Sequence, residues 1–241
     1  MNYSIVVEAR LGSTRLPNKI LYKIKKYSFL EYLIKRLKLV KNAKEIIIAT
    51  TNNEDNDEII KIAKRNRVKC FKGSEKDVIQ RVIKAGKKFL CKNIVRITSD
   101  CPIIDPQIID LAIESYENNK CDYLSNTIVR SYPDGMDVEV FSLKALIKSY
   151  KYAKSPKYKE WTTWSIRQNT NKFRVINIVS PIDQKWPNLG LTLDEYKDYC
   201  FLKKIILHYK EGFDYNCEDV IQLLKKNKNW LKINKNVKRN L

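Results

Sequence analysis

The chain has 241 residues, 44% hydrophobic and 10% aromatic, so it can bury one large core and is not intrinsically disordered. No apolar run approaches the roughly 20 residues of a membrane helix, and the N-terminus has no signal-peptide pattern, so we expect a cytoplasmic protein without a membrane partner. The six cysteines form no C-x-x-C pair, which favours reduced thiols over a zinc site or a disulfide framework.

Charge is the most unusual feature of the composition, because 47 Lys and Arg stand against 27 Asp and Glu, for a net charge of +20. Such a balance favours polyanionic partners such as nucleic acid, nucleotides or anionic membranes. The basic residues are spread along the whole chain and are mostly lysine, as a general composition bias also produces. We rank that bias above nucleic-acid binding and expect no nucleic-acid partner. An anionic small substrate is compatible with both explanations.

The first half of the chain alternates apolar strands with amphipathic helices. Strands are predicted at residues 3–8, 45–50, 68–71 and 93–98. A capping box at Ser28 and Glu31 predicts a first helix that ends at about residue 40, and a second helix is predicted over residues 55–66. A third helix is predicted to follow a cap at Ser74, and a fourth to follow the pair Asp105-Pro106. Strands and helices in this alternation imply βαβ crossovers, so the expected fold is α/β, with a mixed, mainly parallel sheet between two helical layers.

Three polar stretches follow the predicted strands. They are residues 9–21 ("ARLGSTRLPNKIL"), which we call the opening loop, residues 50–55 ("TTNNED") and residues 99–105 ("SDCPIID"). Open parallel sheets bind ligands beyond the carboxyl ends of their strands. The sequence therefore predicts a ligand site where these three stretches meet.

The second half of the chain does not continue the regular alternation of strands and helices. Residues 127–141 ("TIVRSYPDGMDVEVF") predict two extended arms around a turn at residues 133–135. Helices are predicted at residues 143–152 and 157–169, an extended piece at 173–179, and helices from residue 195 to a basic tail that frays after Asn227. Without repeats or a linker, we expect a single domain over 1–241, with a nucleotide-binding half (1–125), an acceptor-binding and dimerisation half (126–205) and C-terminal helices (206–241).

The opening loop combines cations, hydroxyls and a glycine, but it is neither a Walker A sequence nor a G-x-G-x-x-G fingerprint. Gly12 lets the backbone approach a phosphate, Ser13 and Thr14 offer donors, and Arg15 and Lys19 supply positive charge. These residues predict a triphosphate-binding loop. An ordinary basic turn remains nearly as compatible with them.

Carboxylates at the predicted sheet edge suggest a metal. Asp100 follows a buried strand and faces the cationic loop, as expected of an Mg²⁺ ligand, and the alternative role of helix cap is already filled by Asp105. For Asp194, helix capping and metal binding are equally good explanations. Asp137 and Glu139 share one strand face, which predicts either an acceptor-binding pair or a solvated face.

The only histidine, His208, lies within a predicted helix far from every motif, so we expect it to be structural. A Ser-His-Asp triad and a histidine base are thereby excluded. Chemistry must come from carboxylates, cations and a metal, which is typical of nucleotidyl or phosphoryl transfer.

These stretches together resemble the cytidylyltransferases of the spore-coat polysaccharide type, which are relatives of CMP-KDO synthetase and acylneuraminate cytidylyltransferase. The family's opening pattern, A-R-x-G-S-x-R-L-P-x-K-x-L, is matched at residues 9–21 without a gap. Its later blocks are matched in order by "RITSDCPIIDP", "YPDGMDVEVF" and "LTLDEYKDY". The resemblance covers residues 3–205.

The resemblance implies a nucleotide-diphospho-sugar transferase fold, a homodimer formed through a hairpin-like arm, and transfer from CTP to an acceptor with release of pyrophosphate. It implies Mg²⁺ as cofactor, with Asp100 and Asp194 as its ligands. The implied catalytic residues are Arg15, Lys19 and Asp100. The implied nucleotide-binding residues are Ala9, Arg10, Leu11, Gly12, Ser13, Arg15, Lys19 and Thr98, with Thr50, Asn52, Gly73 and Ser74 near the base and ribose. The implied acceptor-binding residues are Asp137, Glu139, Glu160 and Arg167, and Arg96 supports the site.

One departure from the family pattern concerns the acceptor. Relatives usually carry Glu-His-Val-Thr where this chain has Glu-Trp-Thr-Thr at residues 160–163, so the acceptor pocket is expected to differ. On a continuous helix Glu160, Thr163 and Arg167 share one face, and Arg167 pairs either with an acceptor anion or with Glu160. The expected acceptors are an acidic nonulosonic sugar, a related sugar acid or a small phosphorylated polyol.

Three alternatives remain open at this level. A guanylyl- or uridylyltransferase keeps the same fold and changes the base. A nucleic-acid-binding protein would use the net charge of +20. A glycosyltransferase of related architecture usually shows an Asp-x-Asp motif, and the one present, residues 55–57, stands at a predicted helix start, which ranks this alternative low.

Overall fold

The fold is known from a computed structural model, which describes residues 2–53, 56–210 and 212–239. The strands are β1 (Tyr3–Glu8), β2 (Lys23–Ile24), β3 (Tyr27–Ser28), β4 (Glu45–Thr51), β5 (Lys69–Gly73), β6 (Asn93–Thr98), β7 (Tyr123–Ser125), β8 (Glu139–Ser142) and β9 (Val175–Asn177). Seven of these strands form one sheet in the order β5-β4-β1-β6-β8-β7-β9, and the two short strands β2 and β3 pair separately.

The sheet is mixed and mainly parallel, as predicted. β1 pairs in parallel with β4 and β6, and β4 pairs in parallel with β5. β8 runs antiparallel between β6 and β7, and β9 returns parallel to β7. The register sets Glu8 of β1 beside Ala49 and Thr98. The carboxyl ends of the first three parallel strands therefore meet at one edge of the sheet.

Helices cover both faces of the sheet and complete the expected three layers. Successive residues of β1 point to opposite faces, since Ile5 and Val7 enter one core cluster and Val6 the other. The helices are α1 (Phe29–Leu37), α2 (Asp57–Arg65), α3 (Val78–Lys88), α4 (Pro106–Asn119), α5 (Leu143–Tyr150), α6 (Pro156–Glu160), α7 (Trp164–Arg167), α8 (Tyr196–His208) and α9 (Cys217–Lys226). One layer contains α1, α2, α4, α8 and α9, and the other contains α3, α5 and α7.

Local capping signals position most of the helix starts. The capping box of Ser28 and Glu31 is formed at α1, and Asp105 accepts the Gln107 N–H at α4, as predicted. The cap predicted at Ser74 is wrong, because Asp77 caps α3, and the Ser74 hydroxyl instead accepts the Asp77 N–H in the preceding turn. The predicted start of α2 at Asp55, with its Asp-x-Asp motif, falls partly outside the described residues.

The segment between β7 and β8 differs from the expected pair of extended arms. Residues 127–130 form a turn, and only the second arm is extended, as β8. The predicted turn at Gly135 is present with φ +106°, and a Cβ there would lie 2.7 Å from the Leu191 carbonyl carbon. Backbone bonds join Asp134 to residues 189 and 191. This segment thus packs on its own chain through these bonds, and both the hairpin-like dimerisation arm and the homodimer stay predictions.

The helix predicted over residues 157–169 is broken into α6 and α7. Trp161 has an extended backbone (φ −102°, ψ 94°) between them. The break follows from two tertiary contacts, because the hydroxyls of Thr162 and Thr163 donate to the carboxylates of Glu8 and Glu139. Glu160 and Arg167 therefore do not share a helical face.

The basic tail is ordered as far as it is described, contrary to the predicted fraying. A 3-10 turn spans Lys228–Lys232, Val237 is buried, and the Arg239 side chain is only 12% exposed. His208 packs against the rings of Tyr209 and Trp230 in the same region, as expected of a structural histidine. No helix in the described ranges has the length and apolar content needed to cross a membrane.

Candidate active site

A cavity of about 410 Å³ opens at the carboxyl edge of the sheet. The opening loop forms one wall, the ends of β1 and β6 form the floor, and the start of α3 and residues 160–161 complete it. It brings together most of the residues predicted to bind the triphosphate and metal, together with one predicted acceptor residue: Ala9, Arg10, Gly12, Ser13, Arg15, Lys19, Thr98, Asp100, Asp194 and Glu160. Leu11, predicted with them, is instead buried in the core.

Cations and carboxylates meet at the base of this cavity. Lys19 Nζ lies 3.0 Å from Asp194 Oδ1 and 3.4 Å from Asp100 Oδ2. Arg15 Nη2 lies 2.8 Å from the same Asp194 oxygen. Burial lowers the pKa of Lys19, but the charges of the two aspartates outweigh it and the pKa is raised. Burial likewise raises the pKa of Asp100, yet the Lys19 charge and a bond from Thr98 bring it below its usual value. Lys19 and Asp100 are therefore both charged.

Asp194 does not cap a helix, so that explanation of it is wrong. The cap of α8 is Glu195, in a capping box with Asp198. The Asp194 backbone N–H donates to Asp198 Oδ2, and Thr192 Oγ1 donates to Asp194 Oδ2. The second carboxylate oxygen, Oδ1, faces Arg15 and Lys19 in the cavity.

The donor set fits a magnesium ion that arrives with a polyphosphate. Asp100 and Asp194 offer hard oxygen ligands around a point where the structure already places a cation, the Lys19 ammonium. Mg²⁺ commonly takes one or two carboxylates from protein and completes its shell with phosphate oxygens and water. Over the described residues, no group of three or more His, Cys, Asp and Glu is arranged to hold a metal.

A second, smaller cavity of about 140 Å³ shares Thr98 with the first. Asp137 lies in it, paired with both terminal nitrogens of Arg130 at 3.2 and 3.1 Å. Burial raises the pKa of Asp137, with the Arg130 charge opposing. Arg167 also lines this cavity. Three of the four predicted acceptor residues (Asp137, Glu139 and Arg167) thus meet here, while Glu160 lies in the first cavity.

Glu139 is only 4% exposed, so the solvated-face explanation is wrong for this residue. Its carboxylate accepts from Arg96, Tyr123 and Thr163. Burial alone raises the pKa of Glu139, but the Arg96 charge and the hydroxyl donors outweigh it and the pKa is lowered. Glu139 is therefore a buried anion that holds its neighbours in place.

Arg96 connects the two cavities. Its guanidinium donates two hydrogen bonds of 2.8 Å to the carboxylate of Glu8 at the end of β1 and a third hydrogen bond to Glu139 on β8. Burial lowers the pKa of Arg96, while the two carboxylates raise it well above its usual value. This buried chain of charges fixes the ends of β1, β6 and β8 relative to one another.

The predicted base and ribose residues lie beside the main cavity and do not line it. Thr50 is fully buried, and the Asn52 N–H donates to the Gly73 carbonyl at 2.9 Å. Ser74 holds the turn before α3. This group borders the opening loop, since Glu75 Oε1 lies 3.4 Å from the position of a Cβ on Gly12.

Sequence reasoning missed several residues of the site. Arg81 is 2% exposed, lines the main cavity and donates to the Ser74 carbonyl at 2.6 Å. An arginine on the apolar face of α3, between Val78 and Val82, was the available signal. Glu8 and Arg239, which contact Arg96 and Asp194, had no local signal.

An α/β sheet with a cationic loop and two carboxylates at its carboxyl edge defines the class of nucleotide-using enzymes. A model of the cytidylyltransferase family matches residues 4–236. The chain belongs to the cytidylyltransferase family and is a nucleotidyltransferase, as the opening motif predicted.

Individual relatives match the chain over nearly its whole length. An uncharacterized protein of Methanocaldococcus jannaschii is 36% identical over 238 residues, covering 97% of this chain and 94% of that protein. The spore coat polysaccharide biosynthesis protein SpsF of Bacillus subtilis is 30% identical over 227 residues, covering 92% and 93%. A solved cytidylyltransferase structure from Leptospira borgpetersenii has a TM-score of 0.91 at 33% identity, with 100% of both chains covered. These matches extend beyond residue 205, where the motif resemblance ended.

Proposed function

We propose that this chain transfers a cytidylyl group from CTP to a small anionic acceptor and releases pyrophosphate. The observation that carries the proposal is the position of Lys19 between Asp100 and Asp194 in a cationic cavity at the sheet edge. Membership of the cytidylyltransferase family supports CTP as the donor. The same cavity with GTP or UTP is the alternative, because the base-side group at Thr50 and Asn52 does not by itself select a base.

The cations of the opening loop would hold the triphosphate. Arg15 offers a planar fork for two phosphate oxygens, and Lys19 offers a point charge. Both are paired with Asp194 in the structure, and both would exchange that carboxylate for phosphate oxygens when the nucleotide enters. Asp100 and Asp194 would hold Mg²⁺, which supplies neutralisation of phosphate charge when bound.

In the proposed reaction an acceptor oxygen attacks the α-phosphorus in line. A new bond forms between that oxygen and phosphorus, the bond to the bridging oxygen breaks, and its electron pair leaves with pyrophosphate. A phosphate oxygen of a polyol phosphate carries no proton to lose, and a sugar hydroxyl releases its proton to water. Arg15 and Lys19 would stabilise the charge that grows on the departing pyrophosphate. The role of the protein is thus positioning and charge compensation.

The second cavity would bind the acceptor. Of its cations, Arg96 is paired with Glu8 and Glu139, and Arg130 is paired with Asp137. Arg167 has no ion pair among the described residues, although it lines the same cavity. A half-buried arginine without a carboxylate partner favours an anionic ligand. Asp137 would then orient acceptor hydroxyls or an amine, and Glu139 would act by holding Arg96.

An acidic sugar or a phosphorylated polyol fits this charge pattern. The relative SpsF is named for spore coat polysaccharide biosynthesis, which supports a surface-glycan precursor as the product. The homodimer and the cytoplasmic location remain predictions of the same proposal.

Pyrophosphate release tests the proposal directly. Each of the four ribonucleoside triphosphates is supplied with Mg²⁺ and a panel of sugar acids and polyol phosphates. We expect release with CTP and at least one anionic acceptor, and nearly complete loss of this release in Asp100→Asn. Release only with GTP or UTP would show that this nucleotide, and not CTP, is the donor. No release with any nucleotide from folded protein would overturn the proposed function.

A further inference from the structure

The last described residues of the chain lie against the back of the candidate active site. We call residues 234–239 the C-terminal strap. Asn234 Nδ2 donates to the Gly190 carbonyl at 3.1 Å and to Asp198 Oδ1 at 2.9 Å. Val237 is 7% exposed and anchors the strap in the core. The strap ends with Arg239, whose side chain is 12% exposed.

Arg239 contacts the group that surrounds Asp194. Its Nη1 lies 2.7 Å from Thr192 Oγ1 and 3.6 Å from Asp194 Oδ2, and its Nη2 lies 2.6 Å from Asp198 Oδ1. The two oxygens of Asp194 are thus divided between two environments. Oδ2 faces Thr192 and Arg239, while Oδ1 faces the cations of the cavity. This division fixes the rotation of the carboxylate.

Two further observations tie the strap to the site. Gly190 leaves the space that the guanidinium fills, because a Cβ there would collide with Arg239 Nη2. The carbonyl of Lys238 accepts from Arg15 Nη1 at 3.1 Å. The C-terminal strap therefore contacts both Arg15 of the opening loop and Asp194, the carboxylate that faces it.

We propose that Arg239 is a positioning residue, which holds Asp194 with Oδ1 directed at the metal and phosphate site. This inference rests on the proposed function. Without the guanidinium, Oδ2 loses its positive neighbour and keeps only the Thr192 hydroxyl among the described residues, and Asp198 loses an ion pair, so the orientation of the Asp194 carboxylate is less firmly held. Partners that orient a metal ligand typically change metal affinity or activity by about 10- to 100-fold when removed.

Four full-length variants test the proposal. Arg239→Ala removes the guanidinium, Arg239→Lys keeps its charge, and Gly190→Ala displaces it while leaving it in the chain. Lys235→Ala, at an exposed position of the same strap, is the matched control for loss of one positive charge. Mn²⁺ affinity in the presence of CTP is measured by calorimetry, and the Mg²⁺ concentration that gives half-maximal rate is measured by pyrophosphate release. Thermal unfolding reports on the fold.

We expect Arg239→Ala and Gly190→Ala to weaken Mn²⁺ binding and raise the half-maximal Mg²⁺ concentration by about tenfold or more. Arg239→Lys should recover part of the loss, and Lys235→Ala should match the wild type. The proposal is overturned if Arg239→Ala lowers only the melting temperature, or if the control shows the same loss. If the wild type binds Mn²⁺ with CTP but transfers nothing, the proposed function fails, and the affinity comparison still decides on Arg239. Absence of Mn²⁺ binding by the wild type overturns both.

Discussion

The Lys19 ammonium lies 3.0 Å from Asp194 Oδ1, at the point where the proposed function requires a divalent metal. Asp100, which follows β6, lies 3.4 Å from the same ammonium. Two carboxylates this close would repel each other without a cation between them. Lys19 therefore stabilises the site before ligands bind. The metal would compete with Lys19 for the two carboxylates, and the triphosphate would compete with the carboxylates for Lys19.

Replacing Lys19 by methionine should uncouple these two roles. The Lys19→Met variant leaves Asp100 and Asp194 without their shared cation, so the free energy of unfolding without metal should fall by about 1–3 kcal/mol. Mg²⁺ should then raise the melting temperature of the variant more than that of the wild type. Turnover should fall by about 10²- to 10³-fold, as when one transition-state donor is removed. Thermal unfolding with and without a chelator, together with pyrophosphate release, measures both effects.

Lys23→Met is the matched control, because Lys23 is an exposed lysine four residues further along the chain. It should show wild-type melting and turnover with and without Mg²⁺. An equal Mg²⁺ response in Lys19→Met and the wild type would contradict the shared position of ammonium and metal.

Asp100→Asn separates enzymatic from nucleic-acid function. Loss of this carboxylate should remove nearly all nucleotidyl transfer, by about 10³-fold, because the proposed metal loses a ligand and Lys19 loses a partner. A protein that used its net charge of +20 to bind nucleic acid would instead bind more tightly after the same change. Turnover and salt-dependent DNA binding are measured side by side, with Asp183→Asn, at an exposed position, as control. Retained turnover in Asp100→Asn would exclude its role as metal ligand.

The parts of the fold that depend on local physics were predictable from the sequence. Ser28 and Asp105 cap helices through bonds to N–H groups two or three residues away, so their sequence patterns are sufficient. The approach of the opening loop to Asp100 follows from the parallel pairing of β1 with β6, which the alternating elements implied. The two helix caps thus follow from local sequence patterns, and the approach of the loop to Asp100 follows from a general rule of sheet topology.

The features that were missed depend on contacts between distant parts of the chain. The break at Trp161 follows from Thr162, whose hydroxyl donates to Glu8 at a separation of 154 residues. Arg239 is placed by Gly190 and Asp194, far upstream of it. No local pattern distinguishes Thr162 from a residue inside a helix, and none distinguishes Arg239 from the other residues of a basic tail. Such side chains become recognisable only when the sheet has brought their partners together.

Asp134 should make stability depend on pH. Burial and the nearby Asp137 charge raise the pKa of its carboxyl to about 6, from 3.8. Because the folded pKa is the higher one, the folded state binds more protons, and the stability from this group is complete below about pH 4 and is lost as the pH rises through 6. The free energy of unfolding of the Asp134→Asn variant should therefore rise relative to that of the wild type by about 2–3 kcal/mol as the pH goes from 4 to 7. Urea unfolding at several pH values measures this difference, and a difference that stays constant with pH would contradict the assignment.

Arg167 should select the charge of the acceptor. It lines the second cavity without an ion pair in the described part of the chain, whereas Arg130 there is held by Asp137. Arg167→Gln should raise KM for the anionic acceptor by about 10- to 100-fold, since a bond to a charged group contributes about 1.5–3 kcal/mol. The KM for CTP should stay unchanged, because the triphosphate residues line the other cavity. Arg174→Gln, at an exposed position, should leave both constants at the wild-type value. A rise in the KM for CTP alone would instead assign Arg167 to the nucleotide.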